Sequence, residues 1–300
     1  MKRFIALLAA CTALAAAPAR GALNVLACEP EWASLVQELA GDRARVVSAT
    51  TARQDPHRIE ARPALLAQAR RADLLVCTGA DLEIGWLPLL QREAGNAGIQ
   101  PGQPGYFEAA RFVDLGEKPA RVDRSMGDVH AAGNPHIHLD PRNLLKVAEA
   151  LSARLAALDA RNAGDYAARH RDFSARMQAA IARWERDAAS LKGMRVLAHH
   201  RNWTYLAEWL QLRVVADLEP KPGIEPSAAY LAQLLEKLKA QPAKMVLRTP
   251  YQPPRASEWI AERAGMRAVE LPFTVGGSAA AKDLFSLFED TLVRLKDAAQ

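Results

Sequence analysis

The chain reads as an α/β protein, two parallel-sheet lobes joined by one long rigid helix, on three observations. Short apolar runs alternate with amphipathic segments, first in the amino-terminal half and again after residue 193. The runs at 23–27 and 73–77 are nearly continuous rather than alternating, as strands covered on both faces must be. Between the two series, residues 165–191 contain neither Gly nor Pro and carry apolar side chains at spacings of three and four.

In order, Leu23–Ala27 is expected to be a strand, followed by a helix with Leu35, Val36 and Leu39 on one face. Gly41-Asp42 ends that helix, and Arg45–Ala49 forms the next strand. A helix over Pro63–Ala72 leads into the strand Asp73–Cys77, and another helix carries Trp86, Leu89 and Leu90. Gly and Pro recur between 95 and 105, and 116–133 is mostly polar, so 95–135 reads as loops with one short strand near Phe112-Val113. Asp140-Pro141 has the form of a helix start, a capping residue followed by Pro in the first turn.

The breaker-free segment makes a single helix over Asp165–Leu191, with Tyr166, His170, Phe173, Met177, Ile181 and Trp184 on its apolar stripe. Lys192-Gly193 ends it. Strands follow at Arg195–Ala198, Val214–Leu218, Met245–Leu247 and Val269–Phe273, with helices through Trp203–Leu210, Ser227–Leu238, Trp259 and Leu284–Leu295. The expected division is therefore a signal peptide at 1–22, a first lobe at 23–163, the linking helix at 164–192 and a second lobe at 193–300. A rigid link limits how far lobes can swing, which suits a small ligand clamped with modest closure.

Composition narrows the function. Half of the 300 residues are apolar, enough for one large or two ordinary cores. The formal charge is +5, and Lys and Arg are dispersed among acids along the helices, which argues against nucleic-acid binding. Lys2-Arg3, the apolar run from Phe4 to Ala17 and the small residues Ala17-Pro18-Ala19 form an export signal too short to span a bilayer. Leu8-Ala9-Ala10-Cys11 also matches a lipoprotein cleavage box, the less favoured reading because its apolar segment is short. Export to the periplasm permits disulfides, and Cys28 and Cys77 can form one pair or remain two buried thiols.

Three of the seven histidines stand where a strand or loop feeds a helix, the edge at which open α/β sheets bind ligands. His57 follows Gln54-Asp55-Pro56, His136 lies in Asn134-Pro135-His136-Ile137-His138-Leu139-Asp140-Pro141, and His200 closes the strand that runs from Arg195 to His199 and opens the following helix. Imidazole is a good donor for Zn²⁺, and three on one edge can make a preformed site.

The flanking residues resemble the zinc- and manganese-binding solute receptors of ABC importers, most of all the zinc-uptake members. The matching segments are Asp55-Pro56-His57 with Arg62-Pro63, and Ala72-Asp73-Leu74-Leu75-Val76 with Gly79 and Glu83. They continue with Asn134-Pro135-His136 and Leu139-Asp140-Pro141, His200 with Trp203 and Tyr205-Leu206, and Pro222-Gly223-Ile224-Glu225-Pro226-Ser227. The resemblance covers nearly all of the mature chain. It implies two similar lobes bridged by a helix, with His57, His136 and His200 as the three histidine ligands. It also implies a non-enzymatic, monomeric receptor that captures Zn²⁺ and passes it to an ABC permease powered by a cytoplasmic ATPase.

The resembling family takes a fourth ligand, usually Asp, from the loop after the last strand. Here that stretch reads Val269-Glu270-Leu271-Pro272-Phe273-Thr274. Glu270 is one residue out of register, and in a regular strand such a shift turns the side chain to the opposite face. The fourth position therefore lies open between His130, Glu270, His138 and a water. His138 would point the same way as His136 if their segment were extended, His199 would diverge from His200, and His170 is expected to pack in the linking helix. Three imidazoles favour Zn²⁺ over Mn²⁺, which prefers oxygen donors. The alternatives are a manganese receptor, a periplasmic zinc chaperone, a surface adhesin and a zinc hydrolase. No His-Glu-x-x-His helix or nucleophile elbow supports the last. The chain also lacks a Gly-rich phosphate loop with Lys-Ser/Thr, so energy for transport must come from a partner.

Overall fold

The computed structural model describes residues 21–122 and 126–300, so nearly all of the expected export signal, and Cys11 with it, lies outside the described residues. β1 (Leu23–Ala27), β2 (Ala44–Ser48), β3 (Leu74–Cys77) and β4 (Tyr106–Glu108) form one sheet in the order β2-β1-β3-β4. β5 (Arg195–Ala198), β6 (Arg213–Asp217), β7 (Met245–Arg248) and β8 (Arg267–Glu270) form a second in the order β6-β5-β7-β8. Every pairing is parallel. The two sheets thus share one strand order, and each reverses direction between its first and third strands, where a crevice opens at the carboxyl ends.

Helices α1 (Pro30–Ala40), α2 (Pro63–Arg71), α3 (Leu87–Ala94) and α4 (Pro141–Leu158) accompany the first sheet. Helices α6 (Thr204–Leu210), α7 (Ala228–Ala240), α8 (Pro254–Ala264) and α9 (Leu284–Ala299) accompany the second. The chain crosses between them through α5 (Ala163–Asp187), whose 25 residues rise about 37 Å at 1.5 Å each. α4 begins as its sequence requires: the Asp140 carboxylate accepts from Arg142 N at 2.9 Å, and Pro141 occupies the first turn.

Strand alternation distributes the core. Val25 and Ala27 of β1 and Leu74 and Val76 of β3 face one apolar cluster, whereas Leu26, Leu75, Cys28 and Cys77 face another with Trp86 and Leu90. The second sheet repeats this, with Val196, Ala198, Met245 and Leu247 on one side and Leu197 and Val246 on the other. The clusters on the inner faces of both sheets merge into a single core through Tyr166, Phe173, Met177, Ile181 and Trp184 of α5. That core continues into Leu284, Phe288, Leu292 and Leu295 of α9. Any large swing of one sheet against the other must therefore shear close-packed side chains.

Three local expectations need correction. The short strand of the 95–135 region is Tyr106–Glu108, not Phe112-Val113. Tyr106 and Phe107 pair with Leu75 and Val76 of β3, and the 3-10 turn Ala109–Phe112 stacks Phe112 on Phe107 at 5.0 Å. Pairing to a distant strand chose between two similar apolar dipeptides. The last strand is Arg267–Glu270 rather than 269–273. Leu271 N still reaches Arg248 O at 3.0 Å, but Pro272 has no N–H to continue the ladder. The long helix stops at Asp187, and a 3-10 turn, Ala189–Leu191, finishes the segment. Cys28 and Cys77, with Cα atoms 4.8 Å apart, form a disulfide across the carboxyl ends of β1 and β3. Among the described residues no helix is long and apolar enough to cross a membrane.

Candidate metal centre

His57 follows β2, His136 precedes α4 and His200 lies two residues beyond β5. In Asp55-Pro56-His57, Asp55 Oδ1 accepts from His57 N at 3.0 Å and holds His57 Nδ1 at 2.7 Å. Pro56 O accepts from buried Trp86 Nε1 at 2.8 Å, which anchors the turn to the first lobe. Asn134-Pro135-His136 repeats the device, with Asn134 Oδ1 accepting from His136 N at 3.0 Å and holding Nδ1 at 2.8 Å. In both, a short polar side chain replaces a backbone acceptor two residues on, and Pro stiffens the intervening residue.

His200 is held differently. Its Nδ1 lies 2.6 Å from Glu219 Oε2, supplied by the segment beyond β6. Glu219 Oε2 also accepts from Gly223 N at 2.6 Å. Gly223 has φ +76, and a Cβ there would strike the Asp128 carboxylate, so the Pro222-Gly223 motif serves this anchor.

With each Nδ1 facing an acceptor, each ring carries its proton there and turns an Nε2 lone pair outward. Ring centroids form a near-equilateral triangle: 5.6 Å for His57–His136, 5.8 Å for His57–His200 and 5.6 Å for His136–His200. The three offer nitrogen atoms within 4.8 Å of one another, and the buried His136 Nε2 has no protein partner. A tetrahedral zinc with bonds of about 2.0–2.1 Å needs nitrogens roughly 3.3 Å apart, so modest ring adjustment suffices.

His130 lies beside His57, outside the group of three whose donor atoms all come within 4.8 Å of one another. Its Nε2 lies 3.3 Å from His57 Nε2, and the rings stack at 5.3 Å. Burial, then the nearby His57 and His200, pushes its pKa down to about 4. Burial and the same crowd of imidazoles hold His136 well below its ordinary value. Both shifts favour the neutral, donor form of the ring. Burial alone would raise the Asp55 carboxyl, but hydrogen bonds and charge from His57 outweigh it and leave the pKa lowered.

The other candidates stand elsewhere. Residues 137–139 form a 3-10 turn rather than an extended segment, so His138 diverges from His136. His138 Nε2 donates to Phe273 O at 2.9 Å, and Nδ1 lies 3.2 Å from Glu31 Oε1. Glu270 pairs with Arg248 at 2.6 Å. Neither belongs to the group whose donor atoms lie within 4.8 Å of one another. His199 is fully buried with both ring nitrogens unpartnered, and His170 is half-buried on α5. A second close group, Cys28, Cys77 and Glu83, has its two sulfurs joined to each other.

Phe273 lies in the loop after β8, the region from which the resemblance implies a carboxylate ligand. Its ring meets His136, His138, Trp203 and Tyr251 edge-on at 5.7, 4.9, 6.0 and 5.7 Å. The second lobe thus walls the centre with an aromatic ring. Reasoning from sequence missed Asp55, Asn134 and Glu219 as ring anchors. The repeated Asx-Pro-His pattern is a readable signal for the first two, but nothing near His200 in sequence points to Glu219.

The profile of the family described as zinc-uptake complex component A, periplasmic (ZnuA), matches residues 25–298. The high-affinity zinc uptake system protein ZnuA of Bacillus subtilis (strain 168) is 23% identical over 252 residues, 81% of this chain and 77% of that protein. A crystal structure of ZnuA superposes with TM-score 0.75 at 23% identity, covering 93% of this chain and 100% of the other. A manganese-bound mutant of the periplasmic metal binding protein from Candidatus Liberibacter asiaticus superposes with TM-score 0.73 at 19% identity, covering 92% and 99%. With a profile match across nearly the whole sequence, the chain belongs to the periplasmic zinc-uptake component A family, the non-enzymatic metal-binding receptors of ABC importers.

Proposed function

We propose that this chain captures Zn²⁺ in the periplasm and delivers it to the permease of an ABC importer. His57, His136, His200 and His130 are the ligands, each of the first three through Nε2. The observation that carries the reading is the triad of Nδ1 anchors, which leaves three Nε2 lone pairs directed at one another. Such anchoring is what metal-bound imidazoles require of their surroundings. Four nitrogen donors with no carboxylate among them suit zinc, whereas Mn²⁺ calls for oxygen. His57, His130 and His136 come from the first lobe and His200 from the second, so the ion ties the lobes together. Docking on the membrane subunits would loosen that tie, and the partner ATPase supplies the energy.

One feature favours a manganese receptor as the second reading. Asp55 and Glu219 are carboxylates already at the cluster, and a manganese-bound relative shares the fold. Calorimetric titration of the metal-stripped mature chain with Zn²⁺ and Mn²⁺ separates the two. Zinc should bind 1:1 and resist displacement by excess manganese. Tighter binding of manganese, or zinc affinity unchanged in His57→Ala, would refute the assignment.

A further inference from the structure

Two buried polar groups near the centre serve no donor role. His138 is fully buried, two residues past His136 and inside the 3-10 turn that His136 caps. Its Nε2 donates across the lobe boundary to Phe273 O at 2.9 Å, in the loop after β8. Its Nδ1 lies 3.2 Å from Glu31 Oε1, within ion-pair reach though outside hydrogen-bond geometry. Glu31, on α1 and also fully buried, accepts through Oε2 from the Thr274 hydroxyl of the same loop. A carboxylate and an imidazole of the first lobe are thus bonded to consecutive residues of the second. Leaving such groups unpaired in the interior costs far more than an exposed pair would.

We propose that Glu31 and His138 are positioning residues, forming a buried strut that ties the Phe273-Thr274 loop to the first lobe and slows metal release. The proposal rests on the capture reading above. His136 is the amino-terminal cap of the turn that holds His138, so a pull on His138 moves the His136 backbone directly. Phe273, whose carbonyl receives the strut, packs its own ring on both His136 and His138. On the opposite flank, Asn134 Nδ2 donates to Arg201 O at 2.8 Å and Tyr205 donates to Asn134 O at 2.7 Å. The two cross-links bracket the histidines. An ion leaving between the lobes is resisted by both, and Glu31 and His138 are the more deeply buried of the two pairs.

The geometry suggests a test that packing alone would not satisfy. A glutamine amide can reach the position of imidazole Nε2, whereas an asparagine amide reaches only that of Nδ1. His138→Gln therefore keeps the donor to Phe273 O, and His138→Asn loses it. Release of Zn²⁺ from the mature chain into excess chelator, followed by stopped flow, should be roughly tenfold faster in the Asn variant than in the Gln variant, the weight of one buried hydrogen bond. The melting temperatures of the two should fall together. Thr274→Val, which removes only the hydroxyl bonded to Glu31, should speed release about threefold and serves if the His138 variants do not fold. Equal release rates for the Asn and Gln variants, or a wild-type rate in Thr274→Val, would overturn the strut alone, provided that the parent binds zinc and His57→Ala weakens it. If the parent binds no zinc, the capture reading falls and the strut's role falls with it.

Discussion

The two lobes have the same strand order, but they hold their histidines by different means. In the first, His57 and His136 are each oriented by the residue two positions earlier, within a stiff Asx-Pro-His turn. In the second, His200 depends on Glu219, nineteen residues away and beyond another strand. A local anchor forms wherever the turn forms. A distant one exists only when β5 and β6 are paired, as Glu219 N→His199 O at 3.1 Å records. The first lobe thus holds two locally anchored histidines, with His130 beside them, and the second contributes a donor conditional on its tertiary structure.

The sharpest way to break this comparison is to remove a donor from either side. His57→Ala and His200→Ala should each weaken zinc binding by about a thousandfold or more in calorimetry, without loss of the folded far-ultraviolet dichroism. A large loss on one side only would mean that the ion sits in one lobe rather than between them. Removing the distant anchor comes next. Glu219→Ala leaves His200 in place but frees its ring, and zinc affinity should fall roughly 10–100-fold.

The local anchors should be more forgiving. Asp55→Asn converts the first turn into a copy of the second, and affinity should stay within about threefold of the parent. A loss as large as that in Glu219→Ala would show that the charge of Asp55, and not its acceptor geometry, is what His57 needs. The smallest expected effect concerns stability. Burial chiefly raises Glu83, to about 7, and Glu29 beside it is raised by burial and by the neighbouring carboxylates. An acid raised in the folded state binds more protons there than when unfolded. Its contribution is therefore fully present below the unfolded value near 4.5 and is lost as pH rises through about 7. Glu83→Gln keeps one oxygen at the position of Oε1, which accepts from Thr78 N at 2.7 Å and from Gly79 N at 3.4 Å, but cannot ionise. Its melting temperature relative to the parent should be higher at pH 8 than at pH 5 by a few degrees, and an equal difference at both would count against a buried charge.

Much of this was legible in the residues. The continuous apolar strands, the breaker-free linking helix and the Asp140-Pro141 cap announce themselves because each depends on neighbours in sequence. The short strand was misplaced because Tyr106-Phe107 and Phe112-Val113 look alike until β3 selects one of them. Glu270 and His138 were reasonable donors by type. Only packing reveals that Arg248 holds one, and that Glu31 and Phe273 hold the other.

By itself, then, the order of amino acids determined the α/β periodicity, the two Asx-Pro-His turns and the histidines that end at one edge of each sheet. Those features follow from local dihedral preferences and hydrophobic spacing, which act over a few residues. Only the tertiary structure decided that His130 stacks beside His57, that Glu219 orients His200 and that Phe273 walls the centre. These are contacts between segments 19 to 137 positions apart, and no local preference encodes them. They exist because parallel strand pairing and one shared core bring the carboxyl edges of both sheets together.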